Sequence, residues 1–183
     1  MVAEMNRLGV LVDLSHVSDD TIRDALDATR APVIVSHSSC RALHDHARNV
    51  SDDLLRAIAA NDGVVMINFY PAYIDEAADR ATRAYFAEHG ARLAAMREET
   101  ADAPEAQGAA MRAHFAAHPV PQTSLDVLLD HFDHAIAVAG PAHVGLGADW
   151  DGVASMPVGM EDVSRLPVLT QGLLARGHSP KTV

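Results

Sequence analysis

The chain has 183 residues, 49% of them hydrophobic and 21% charged, a balance that describes one globular unit and excludes disordered and fibrous classes. Its formal net charge of -11 argues against a grip on nucleic-acid phosphates or anionic lipid, and leaves small molecules or proteins as partners. No apolar run reaches the ~18 to 20 residues of a membrane span, and the single cysteine, Cys40, has no internal disulfide partner. The compartment stays open, with the cytoplasm as the default assignment.

After a helix-like start over Glu4 to Leu8, the apolar run Gly9 to Ser15 predicts a buried strand. Ser18 then caps a helix with Ile22, Ala25, Leu26 and Ala28 on one face, which must stop before Pro32. Pro32 to Ser36 predicts a second strand, Ser51-Asp52-Asp53 opens a helix to about Asn61, and Gly63 to Phe69 predicts a third strand. From about Asp75 to His118 the chain reads as helical, with breaks at Asp102-Ala103-Pro104 and Gln107-Gly108, so residues 75–122 form a helical insertion in an otherwise single domain, 1–183. Thr123-Ser124 caps a helix ending near Gly140, His143 to Gly147 is the fourth strand, and a last helix runs from about Glu161 to Arg176. Strands alternating with amphipathic helices predict a parallel α/β sheet, open or closed as part of a (β/α)8 TIM barrel. Four strands make about half of such a barrel, which needs eight and typically ~250 residues.

Active groups in parallel α/β folds gather where strands end at their carboxyl side. That rule selects His16 after the first strand, His37 after the second, Asn68-Phe69-Tyr70 after the third and Asp149 after the fourth. His16 and His37 stand 21 residues apart, about one strand-plus-helix repeat, so neighbouring strands bring both imidazoles to one level. Two such imidazoles suit a shared zinc, for which an open catalytic site uses about three protein ligands plus water. Asp149 is placed to orient or deprotonate that water. The alternative for each histidine is a hydrogen-bonded strand cap.

Several segments follow one order and spacing. Asp13-Leu14-Ser15-His16-Val17-Ser18, Pro32 to Ser39, His46-Ala47-Arg48-Asn49-Val50, Val65 to Tyr70 and Gly145 to Val153 together resemble the membrane dipeptidase (renal dipeptidase) family, as does Pro157 to Ser164. The resemblance covers about residues 4 to 178 outside the insertion, and implies a (β/α)8 barrel with two Zn2+ that hydrolyses dipeptides. It implies that His16 and His37 bind one zinc, that Arg48 holds the substrate's C-terminal carboxylate, and that Tyr73 lies on the substrate side. It implies that Asp149 contacts the substrate site and passes a proton to the leaving amine.

The resemblance implies that the family's other metal ligands lie upstream of Met1, so the expectation is one partial zinc site in a truncated barrel, weakly active or inactive alone, with open strand edges that favour a homo-oligomer. His131-Phe132-Asp133 lies within a helix and reads as a surface coincidence, and His44-Asp45-His46 reads as a solvated loop. Two readings from other classes compete: a non-catalytic half-barrel remnant serving as an interaction module, and an unrelated open-sheet binding domain with structural histidines. Gly145-Leu146-Gly147 is too short a match to a phosphate loop to favour the second.

Overall fold

The computed structural model describes residues 1–183. Three parallel strands, β1 (Ile34–Val35), β2 (Val64–Asn68) and β3 (Val144–Gly147), pair in that order, with Ile34 opposite Val64 and Val65 opposite Val144. The segment predicted as the first strand is extended but pairs only briefly: Leu14 donates to the Ile34 carbonyl at 2.8 Å and Ile34 to that of Val12 at 3.0 Å. It forms the sheet's outer rim with a single neighbour, and Val10 and Leu11 run past the end of β1 into solvent, which is why the strand is shorter than its apolar run.

Helices α1 (Val2–Leu8), α2 (Asp19–Ala28) and α3 (Asp52–Ala60) precede β2, and α7 (Leu125–Ala139) precedes β3. Ser18 and Ser124 cap α2 and α7 by accepting from Thr21 N and Val127 N, as the sequence predicts. Val35, Val65 and Ile67 point into a core shared with Leu54, Leu55 and Ile58 of α3 and Leu128, Leu129 and Phe132 of α7. Val64 and Met66, on the opposite face, are only half-buried. One sheet face is therefore packed by helices and the other only partly covered.

After β2 a short α4 (Pro71–Ile74) leads into α5 (Glu76–Glu99) and α6 (Pro104–Ala117), which cross back over a small cluster of Tyr85, Leu93 and Val120. The break falls at Asp102-Ala103-Pro104 alone. Gln107 and Gly108 stay helical, since a helix-interior glycine costs only about 1 kcal/mol and does not end the helix. The last helix, α8 (Leu166–Ala175), starts later than predicted, after a 3-10 turn at Val163–Arg165. Pro167, which lacks an N–H, is accommodated only in a first turn.

His131 corrects a further expectation. It lies within α7 and away from any strand end, but it is fully buried rather than on the surface. Its Nδ1 accepts from Cys40 N at 3.0 Å and its Nε2 donates to the Ile74 carbonyl at 2.9 Å, tying the loops after β1 and β2 to one helix. Burial pushes its pKa from the ordinary 6.5 down to about 4. The unfolded chain takes up this proton near the ordinary value and the folded chain resists, so stability falls as pH drops through that window. The urea midpoint will fall between pH 7 and pH 5, and His131→Gln will flatten that dependence while lowering stability at pH 7.

Gly147 ends β3 where the chain leaving β1 folds over the end of β2. A Cβ there would stand 2.3 Å from the Ser36 carbonyl oxygen and 3.0 Å from His37 Cα. Gly147→Ala will cost about 1–3 kcal/mol by overpacking, read as a lower urea midpoint with an unchanged slope.

Candidate active site

The ends of the rim segment, β1 and β3 meet at one mouth. His16 and His37 face each other with their Nε2 atoms 2.7 Å apart. Arg48, His37, Asp149 and Asp13 all act on His16: its pKa is lowered first by desolvation, then by the charges of Arg48 and His37, against the raising pull of the two aspartates. Four of the five residues predicted from sequence thus share one field, and Tyr73 joins through Arg48, whose Cζ lies 5.4 Å from the Tyr73 ring centre.

Backbone conformation supports this placement. Three non-glycine residues have positive φ, and two are His16 (φ 63) and Asp149 (φ 61). Non-glycine residues held in this region cost on the order of 1–3 kcal/mol each and persist where surrounding structure enforces them, often at functional sites. At Asp149 the enforcement involves Gly152, where a Cβ would sit 2.1 Å from Asp149 Oδ1. Only glycine lets that carboxylate fold over its own turn.

A polar network missed in the sequence fixes His37. Asp13 Oδ2 accepts from Ser36 Oγ at 2.6 Å, and Asp13 Oδ1 accepts from the amides of Ser15 and Ser36. The carboxylate takes the one Ser36 hydroxyl proton, so Ser36 Oγ, 2.8 Å from His37 Nδ1, accepts from that nitrogen. His37 Nε2 is left with its lone pair toward the mouth, and His16 Nε2 donates to it. Ser15 Oγ also accepts from His37 N at 3.0 Å. Asp13 and Ser36 border the predicted ligands within the same motifs, and only the cross-strand pairing shows what they do. Hydrogen bonds from the two serines hold the Asp13 carboxyl below its ordinary value, although burial, the largest single influence, works against this.

The loop after β1 departs from expectation. His44 is buried, with Nε2 lacking a hydrogen-bond partner and 3.7 Å from Asp79 Oδ2, and His46 is half-buried. The first turns of α5 lie beside His44, so the two histidines are withdrawn from solvent while Asp45 between them stays exposed.

The donor set fits a metal in part. Two imidazole nitrogens converge, one with its outer nitrogen engaged by a hydroxyl–carboxylate pair of the kind that orients metal-ligating histidines. No third histidine, cysteine, aspartate or glutamate joins them as a ligand group.

Solved structures define the class. The fold matches a metallo peptidase of Rhodobacter sphaeroides, solved with a phosphinate mimic of the dipeptide L-Ala-D-Ala, at TM-score 0.71 and 26% identity, over 99% of this chain and 40% of that one. The probable dipeptidase PvdM of Pseudomonas aeruginosa gives TM-score 0.73 and 26% identity over 99% of this chain and 48% of its own. The α/β fold is thus that of metallopeptidases. The sequence profile of membrane dipeptidase (Peptidase family M19) matches residues 1–183, and the chain belongs to that family. It is 41% identical over 179 residues to an uncharacterized dipeptidase of Schizosaccharomyces pombe, covering 97% of this chain and 33% of the relative. It is also 41% identical over 179 residues to the dipeptidase aclJ of Aspergillus oryzae, covering 98% of this chain and 33% of that protein. The chain therefore spans about a third of the length of these relatives. The unrelated open-sheet reading is set aside.

The tautomer is directly observable. Long-range nitrogen–proton NMR will find His37 protonated on Nδ1, and Ser36→Ala will admit the Nε2-protonated form.

Proposed function

We propose that this chain carries the carboxyl-terminal half of a (β/α)8 dipeptidase barrel, with residues 75–122 as a helical insertion on its rim and a half-site for zinc at His16 and His37. The observation that carries this reading is the convergence of His16 Nε2 and His37 Nε2 at 2.7 Å, beside Arg48 and Asp149. The thinly covered sheet face supports the barrel, because parallel sheets are normally buried on both sides.

Zinc bound at such a site supplies Lewis-acid polarisation of a carbonyl and lowers the pKa of water. His16 and His37 would hold it through Nε2, with donors from outside residues 1–183 completing the coordination. Arg48 fixes the free carboxylate of the substrate. Its Nη2 donates to the His37 carbonyl at 3.2 Å, which holds the guanidinium beside the ligand strand, while Nε is buried without a partner within the chain. A planar fork suits a carboxylate, which it meets with two parallel hydrogen bonds, and this limits the substrate to a short peptide with a free C-terminus. Tyr73 forms the floor under that fork. Asp149 stands within the field of His16, where its carboxylate would take the proton that the attacking water gives up and pass it to the nitrogen of the leaving amine.

Metal content by mass spectrometry, with dipeptide hydrolysis in added zinc, tests the reading. Zinc retained by the wild type and lost in His16→Ala supports it. In the complete enzyme, Arg48→Ala will lower kcat/KM for dipeptides by about a hundredfold, the scale of a lost charge-assisted pair. Unchanged turnover would remove Arg48 from the substrate site.

A further inference from the structure

The loop that carries Arg48 is built around His46. Its Nδ1 accepts from Arg48 N at 3.1 Å, and its own amide donates to the His44 carbonyl at 2.8 Å. Its ring lies against the Tyr73 ring, with centroids 4.7 Å apart and planes inclined by 34°. Tyr73 is braced from the side by Tyr70 at 4.9 Å and 90°, and carries the Arg48 guanidinium 5.4 Å from its ring centre. Asn49 closes the unit, its Nδ2 donating to the Tyr73 carbonyl at 2.6 Å and the His44 carbonyl at 2.9 Å. His46 thus touches Arg48 at the backbone and, through Tyr73, underlies its side chain.

We propose that His46 is the positioning residue of the Arg48 fork, and that it sets the preference for dipeptides with a free C-terminal carboxylate over those whose C-terminus is blocked. This rests on the reading of Arg48 as the carboxylate-binding residue. A long arginine side chain loses considerable rotamer freedom when held, so a fork already seated on a braced ring binds its carboxylate with less entropy left to lose. The acceptor role needs an unprotonated Nδ1. Desolvation lowers the His46 pKa, opposed by Asp79 and assisted by His44, Arg83 and Arg48, which favours that form.

Two substitutions separate the two contacts. His46→Phe keeps a ring against Tyr73 but removes the acceptor. His46→Asn removes the ring but keeps an oxygen able to accept the N–H two residues on, as in an Asx turn. The readout is the ratio of kcat/KM for glycylglycine and glycylglycinamide, measured on the complete zinc-loaded enzyme. This ratio reports the carboxylate contact and is insensitive to a uniform loss of folded protein.

The wild type is expected to prefer the free acid, Arg48→Ala to abolish the preference, His46→Phe to reduce it about five- to tenfold as one lost hydrogen bond near a charge would, and His46→Asn to recover part of it. If Arg48→Ala abolishes the preference and both His46 variants keep it in full, the proposal is overturned while the Arg48 reading stands. If the wild type shows no preference, or Arg48→Ala leaves it intact, the Arg48 reading itself falls and this proposal falls with it.

Discussion

Everything at the mouth depends on the close approach of β3's end to the chain leaving β1. Parallel pairing sets β2 between them in register, Asn68 opposite Gly147. The Ser36-His37-Ser38 segment then crosses the end of β2, where Ser38 N donates to the Met66 carbonyl at 3.0 Å. Only a residue without a side chain lets β3 pass beneath it. Once that approach is made, His37 and Asp149 lie at the same end of the sheet, and His16 follows from the rim segment paired to β1.

Geometry alone would leave the imidazoles free to turn. The Asp13 carboxylate removes that freedom by collecting two amides and one hydroxyl from residues of two adjacent segments, Ser15 and Ser36. The same bonds join the rim segment to β1, where regular ladder pairing is brief. One side chain therefore continues the sheet and determines which nitrogen of His37 faces the mouth. The positive φ at His16 and at Asp149 is the local strain that this scaffold sustains.

The sequence made the strands and most helix starts legible, because apolar runs of four to seven residues alternate with capped amphipathic segments. It also singled out His16, His37, Arg48 and Asp149 as candidates, through strand ends and through motifs in family order. What it concealed was tertiary. His44 and His46 read as solvated because their loop is polar, and only tertiary packing, Asp79 of α5 beside His44 and Tyr73 of α4 against His46, withdraws them from water. His131 does carry a signal in the sequence: it stands three residues after Leu128 and four before Ala135, on the buried face, although its polarity alone suggests the surface. The short pairing of the first strand could not be read from residues that are apolar but extend past their only neighbour.

The proposed function requires His16 and His37 to present a paired nitrogen site to a metal. Anomalous diffraction at the zinc edge, on crystals of this chain grown with zinc, tests it most directly. The expected result is a zinc peak bonded to Nε2 of both histidines, with His37 Nδ1 still donating to Ser36. Zinc found only elsewhere on the chain, with the two Nε2 atoms still paired to each other, would contradict it.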